Sequence, residues 1–212
     1  MKKLCLLILS SLLFTACQPQ ISIKAEGNDG ATVFFSTGFS ESTAKTLKSL
    51  TGADSSSPLF NKNDILQLLR AGGAENATAN IPSQTEIAAT GTVKSLSQNR
   101  LSQIGLIKSE KGTLTLTIGP RQIVSFYGML NEDEKSYLDM IMIPALLGEK
   151  MSVAEYRELL SSMYGPSFAD EIIKGKLTIL LTSASGKKKV RQEVTLGDLL
   201  CADKEMAWTV RD

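Results

Sequence analysis

Ser42 and Lys45 stand three residues apart in a segment with helical periodicity. That spacing brings a lysine amine toward a serine hydroxyl, where it could take the proton of a nucleophile. Ser97 and Asn99 could supply further polar groups to such a centre, and Ser185 and Lys188 repeat the first spacing. Glu132, Asp133 and Glu134 are three consecutive carboxylates of the kind that bind hard cations. Asp198, Asp203 and Glu205 form a looser acidic group. Three thiols are available, at Cys5, Cys17 and Cys201. No histidine occurs in the 212 residues, which excludes His-dependent acid–base catalysis, Ser-His-Asp and Cys-His nucleophiles, and most zinc sites. With 23 basic and 22 acidic side chains the chain lacks the basic surplus of a dedicated nucleic-acid binder, and no nucleic acid is expected as a partner.

Ser42-Thr43-Ala44-Lys45 is similar to the S-x-x-K element of penicillin-binding proteins and β-lactamases, and Ser97-Gln98-Asn99 to their S-x-N element. Those enzymes also need a K-[ST]-G strand, and Lys111-Gly112-Thr113 has the wrong order. The second S-x-x-K, at Ser185, shows how readily a Ser/Lys-rich chain produces the spacing. Glu132 to Glu134 open a helical segment, where acids complement the macrodipole without any ligand, and no calcium-loop glycine lies among them. The expectation is a non-enzyme with no catalytic residues, no metal and no cofactor.

Lys2 and Lys3 precede an apolar run of eleven residues, Leu4 to Phe14. At helical rise it covers about 16 Å, too short for a bilayer core of roughly 30 Å, so it reads as a secretory signal. The junction Leu13-Phe14-Thr15-Ala16-Cys17 resembles the lipobox of bacterial lipoprotein precursors, with Phe14 where Leu is usual. The resemblance implies that Cys17 receives palmitate-type acyl chains and that residues 1–16 are removed as a signal peptide. Several acyl chains anchor stably where one is marginal. Residues 17–20 would then be the lipidated cysteine and a short tether. The implied location is the cell membrane or the outer membrane of a bacterial envelope, facing the periplasm. Gln18 lacks the Asp that marks inner-membrane retention in some bacteria.

Around these residues the elements alternate. Ile21, Ile23 and Ala25 followed by Gly27-Asn28-Asp29-Gly30 and Thr32 to Thr37 predict a hairpin. Ser40 opens a helix ended by Gly52, and Asn61 or Asn63 a second one. Residues 74–85 look structurally weak, residues 86–97 look like an edge strand, and 101–107 is ambiguous between helix and strand. Leu114, Leu116 and Ile118 alternate with threonines. The stretch 122–174 is helical by period, interrupted at Pro144 and Gly165-Pro166, with a capping box at Ser152 and Glu155. Leu177 to Thr182 is apolar enough for a central strand, followed by a turn at Ser185 to Lys187 and strands at 190–194 and 206–210. The expected fold is α+β, with antiparallel sheets and the helical block packed on one face. It would form a single domain over 21–212, or two lobes over about 21–119 and 120–212.

Two further surfaces follow from composition. Met140, Met142, Leu160 and Met163 lie in the helical block, where adaptable thioethers could form a groove for lipid or a small hydrophobic ligand. Lys187, Lys188, Lys189 and Arg191 form a basic turn that could contact an anionic bilayer near the anchor. The leading expectation is a non-enzymatic envelope lipoprotein, held close to its membrane and serving protein binding or envelope assembly. Its partners would be the membrane, through the anchor, and an unknown envelope protein or lipid. After processing, Cys201 would stand alone beside the acylated Cys17, so no disulfide within the chain is expected.

Overall fold

The computed structural model describes residues 18–130, 132–141 and 143–212. Alternating residues dictate its two sheets. In sheet A the strand order is β3-β4-β2-β1-β7-β8, with β1 Gln20–Glu26, β2 Gly30–Gly38, β3 Glu75–Ser83, β4 Glu86–Val93, β7 Lys176–Thr182 and β8 Lys189–Thr195. In sheet B the order is β5-β6-β9, with β5 Ile107–Glu110, β6 Thr113–Ile118 and β9 Met206–Arg211. One face of sheet A, carrying Ile23, Ala25, Val93, Leu177, Ile179 and Leu181, packs on Leu114, Leu116, Ile118 and Val210 of sheet B. The α+β expectation holds, and pairing is antiparallel except that β1 and β7 run parallel. Both sheets draw strands from either side of residue 119.

Two strand expectations need correction. Residues 74–85 contain β3, and β4 is an interior strand between β3 and β2. The edge strand is polar because its exposed side chains face water, which removes the hydrophobic signal from the sequence. Gly91 lets the chain entering β3 pass close over β4: a Cβ there would meet the Ala74 Cβ at 2.7 Å. The ambiguous 101–107 segment resolves into a short helix, α3 (Arg100–Gln103), followed by the start of β5.

The remaining helices are α1 (Glu41–Thr51), α2 (Lys62–Ala71), α4 (Pro120–Tyr127), α5 (Glu132–Ile141), α6 (Pro144–Leu147), α7 (Val153–Tyr164), α8 (Pro166–Lys174) and α9 (Leu196–Leu200). Their boundaries follow local chemistry. Ser40 and Asn61 cap α1 and α2, Gly52 closes α1 in the left-handed region, and Ser152 and Glu155 form the capping box of α7. Pro144 begins α6 instead of bending α5, as a missing N–H is tolerated at a first helical position. Helices α1, α7 and α8 bury Leu47, Tyr156, Leu160, Phe168, Ala169, Ile172 and Ile173 in a second core. The short α9 joins the two: Leu199 enters the sheet core, while Leu200 and Cys201 pack on the helical one.

Candidate functional site

The strands of sheet A define two ends of the molecule. At one end the chain enters β1: Gln18 is exposed, Pro19 is buried, and the Pro19 carbonyl accepts the Thr178 amide at 2.9 Å. Strand β7 begins at this end, β2 and β8 finish at it, and the helical core covers it. Cys17 lies outside the described residues. At the other end are the β1–β2 turn, the β7–β8 turn and the β5–β6 turn, the last two held together by one residue. Asp212 donates its amide to Gly112 O at 3.0 Å, and its carboxylate accepts the Ser185 amide at 3.0 Å and the Ser185 hydroxyl at 2.7 Å.

Lys187, Lys188, Lys189 and Arg191 are all exposed and belong to this second end, with Arg191 paired to Glu193 at 3.1 Å. Gln20 pairs with Thr178 and Lys24 with Thr182, so the basic turn begins about 13 Å along the strands from where the chain enters. The tether and the basic turn are therefore at opposite ends of the sheet.

Of the four residues expected in the hydrophobic groove, the two whose side chains are described, Leu160 and Met163, do not line one recess. Leu160 is fully enclosed among Tyr156, Phe168 and their neighbours, whereas Met163 is 54% exposed. Met142 and the Met140 side chain lie outside the described residues. No helix among the described residues is long and apolar enough to cross a membrane.

Ser42 and Lys45 are exposed on α1, where the Ser42 hydroxyl lies 2.9 Å from that of Ser40. Ser97 and Asn99 sit at the far end, Ser97 bonded to Asp29 and Asn99 capping α3. The two halves of the S-x-x-K and S-x-N pattern are thus at opposite ends of the sheet. Glu132 pairs with Lys135 at 2.7 Å. Thr195 caps α9, its hydroxyl accepting the Asp198 amide at 3.1 Å and donating to the Asp198 carboxylate, while Glu205 accepts Gln122 Nε2 at 3.0 Å and pairs with Arg121 at 3.2 Å. Sequence spacing gave no signal for this last junction, because its members come from β9's approach and from α4. The Cys201 thiol is half-buried; burial pushes it up to about 11, with the Asp198 carboxylate adding to the effect, so it stays protonated near neutral pH and is a poor nucleophile.

Two acids hold the turns of the basic end. Asp29 accepts the Ser95 hydroxyl at 2.6 Å, the Ser97 hydroxyl at 2.7 Å and the Ser97 amide at 2.9 Å, and these bonds hold its carboxyl below the usual 3.8. Asp212 is lowered in the same way, chiefly by Ser185. A folded-state value below the unfolded one stabilises the turns above the unfolded value and is lost as pH falls through the folded one. The protection factors of the Ser97 and Ser185 amides, with the intrinsic pH dependence of exchange divided out, are expected to be flat from neutral pH down to the ordinary carboxylate range and to fall below it. Asp29→Asn should remove the acid-dependent change at Ser97 alone; a Ser97 response surviving in that variant would refute the assignment.

No family model, curated protein or solved structure matches the chain, so its function is argued from its own residues and geometry.

Proposed function

We propose that the chain is a bacterial lipoprotein anchored through acylated Cys17, and that its folded part is a non-enzymatic module binding a protein partner or serving envelope assembly at the membrane surface. The observation that supports this most is the distance between the lipobox-like junction and the first fixed residue. Pro19 already bonds to β7, so only two residues' reach, about 7 Å, separates Cys17 from the folded body. Such a tether keeps the domain against its own bilayer and leaves it no reach across an envelope. The separation of Ser42 and Lys45 from Ser97 and Asn99 supports the non-enzymatic reading.

The test is incorporation of an alkyne-labelled fatty acid in a bacterial host, followed by intact-mass measurement. The wild-type chain is expected to carry label and to begin at Cys17. Cys17→Ser should lose the label completely and retain residues 1–16. Absence of label on the wild-type chain, or release of that chain by a high-salt wash of the membranes, would overturn the proposal.

A further inference from the structure

The near-neutral sum of charges hides a segregation along the strands. Residues 132–158, at the helical end, contain seven acidic and three basic side chains. The far end has the opposite sign. On the outward side of sheet B, a recess of about 490 Å³ is lined by Lys108, Glu110, Lys111, Thr113, Thr115 and Arg211. Glu110 is engaged by Lys108 at 3.0 Å, and the Asp212 side chain by Ser185. Among the described residues, Lys111, Arg211, Lys187, Lys188 and Lys189 make no ion pair. Asp212 fastens the turn carrying Lys187 to the turn carrying Lys111, which sets the basic turn beside the recess at the same end of the molecule.

Lys111 occupies this surface against local backbone preference. It has φ 48° beside Gly112 at φ 75°, in a two-residue hairpin loop where Asn, Asp or Gly is favoured. A lysine there goes against backbone preference and holds a cation at the rim.

We infer that this recess and the adjoining Lys187–Lys189 turn bind an anionic polysaccharide chain, carboxylates or phosphates lying against the cations and sugar hydroxyls against Thr113 and Thr115. The form of the surface favours a chain over a bilayer: Lys108, Lys111 and Arg211 line a concavity together with Thr113 and Thr115, whereas a membrane plane meets coplanar tips. Its position agrees. Strands separate it from the point where the chain enters the fold, and it is presented away from the proposed anchor. The inference does not depend on acylation, since every residue it uses lies in the described fold.

The test uses the full chain in neutral detergent with a fluorescent oligogalacturonate, read by anisotropy. Binding is expected at low ionic strength and should weaken steeply with added salt. The triple variant Lys187→Gln, Lys188→Gln, Lys189→Gln, and separately Lys111→Gln with Arg211→Gln, should each weaken it by about tenfold or more. Lys45→Gln with Lys62→Gln should leave it unchanged, and so should Cys17→Ser, which separates this inference from the anchoring proposal. Circular dichroism checks that each variant is folded. No binding at low salt, equal weakening by the Lys45/Lys62 pair, or retained affinity in both basic-end variants would overturn the inference. Tighter binding to phosphatidylglycerol/phosphatidylcholine vesicles or to oligothymidylate than to oligogalacturonate would overturn it too, assigning the surface to a bilayer or a nucleic acid.

Discussion

Leu181→Ala is expected to lower the unfolding free energy by about 2–5 kcal/mol, measured as a fall in denaturant midpoint at unchanged slope. Leu181 is fully buried on β7, the strand that joins the N-terminal hairpin to the C-terminal third of the sequence. Its register neighbours are Ile23 on β1 and Val190 on β8, and its face packs on sheet B. Removing most of this side chain deletes apolar contact on three sides, and paired strands relax little into the space. Val190→Ala on the adjoining edge strand should do much less, because that side chain is only half-buried. Equal effects at the two positions would show that β8 shares the central core fully. A loss under about 1 kcal/mol at Leu181 would show that the sheets close over the vacancy.

That β7 is a central strand was legible in its composition, since Leu177, Ile179, Leu180 and Leu181 crowd one short run. Its partner was not, because register with β1 is set by tertiary contact across more than a hundred and fifty residues and leaves no local mark. Helix ends were the most legible features. Ser40, Asn61, Ser152, Gly52 and Pro144 act on backbone groups within their own turn, so their chemistry is complete in the sequence. Strand β3 was hidden for the converse reason: an edge strand with polar, water-facing side chains has no apolar alternation to read.

The candidate surfaces divide along the same line. The lipobox-like junction is a local pattern, legible in full. The basic turn was legible as a cluster of lysines, but its companions Lys111 and Arg211 belong to sheet B, which Asp212 ties to that turn through Gly112 and Ser185. A chain with a formal net charge of +1 offers no hint that its two ends carry opposite signs. Net charge limits the total field, whereas a binding partner meets the local one.

The junction between α1 and α8 leads to the second large effect. Glu171, on α8, accepts the Ser40 amide at 2.7 Å and the hydroxyls of Ser40 and Thr43, so the first turn of α1 is capped by a residue 131 positions further along. Thr43 is buried. Glu171→Ala leaves its hydroxyl and the Ser40 amide without an acceptor, and strips a negative charge from a helix N-terminus. The expected loss is about 2–4 kcal/mol, of which unsatisfied polar groups account for most. Glu171→Gln keeps an acceptor oxygen and the side-chain volume, and should lose about half as much. The discriminating measurement is a double-mutant cycle with Thr43→Val, which removes the stranded hydroxyl while keeping the β-branched shape. If Glu171 acts by satisfying α1, the two changes are strongly non-additive and Thr43→Val recovers part of the Glu171→Ala loss. Additive losses would mean that Glu171 acts through α8 alone, and that the helical core is held by Leu47 and Phe168 without the polar clasp.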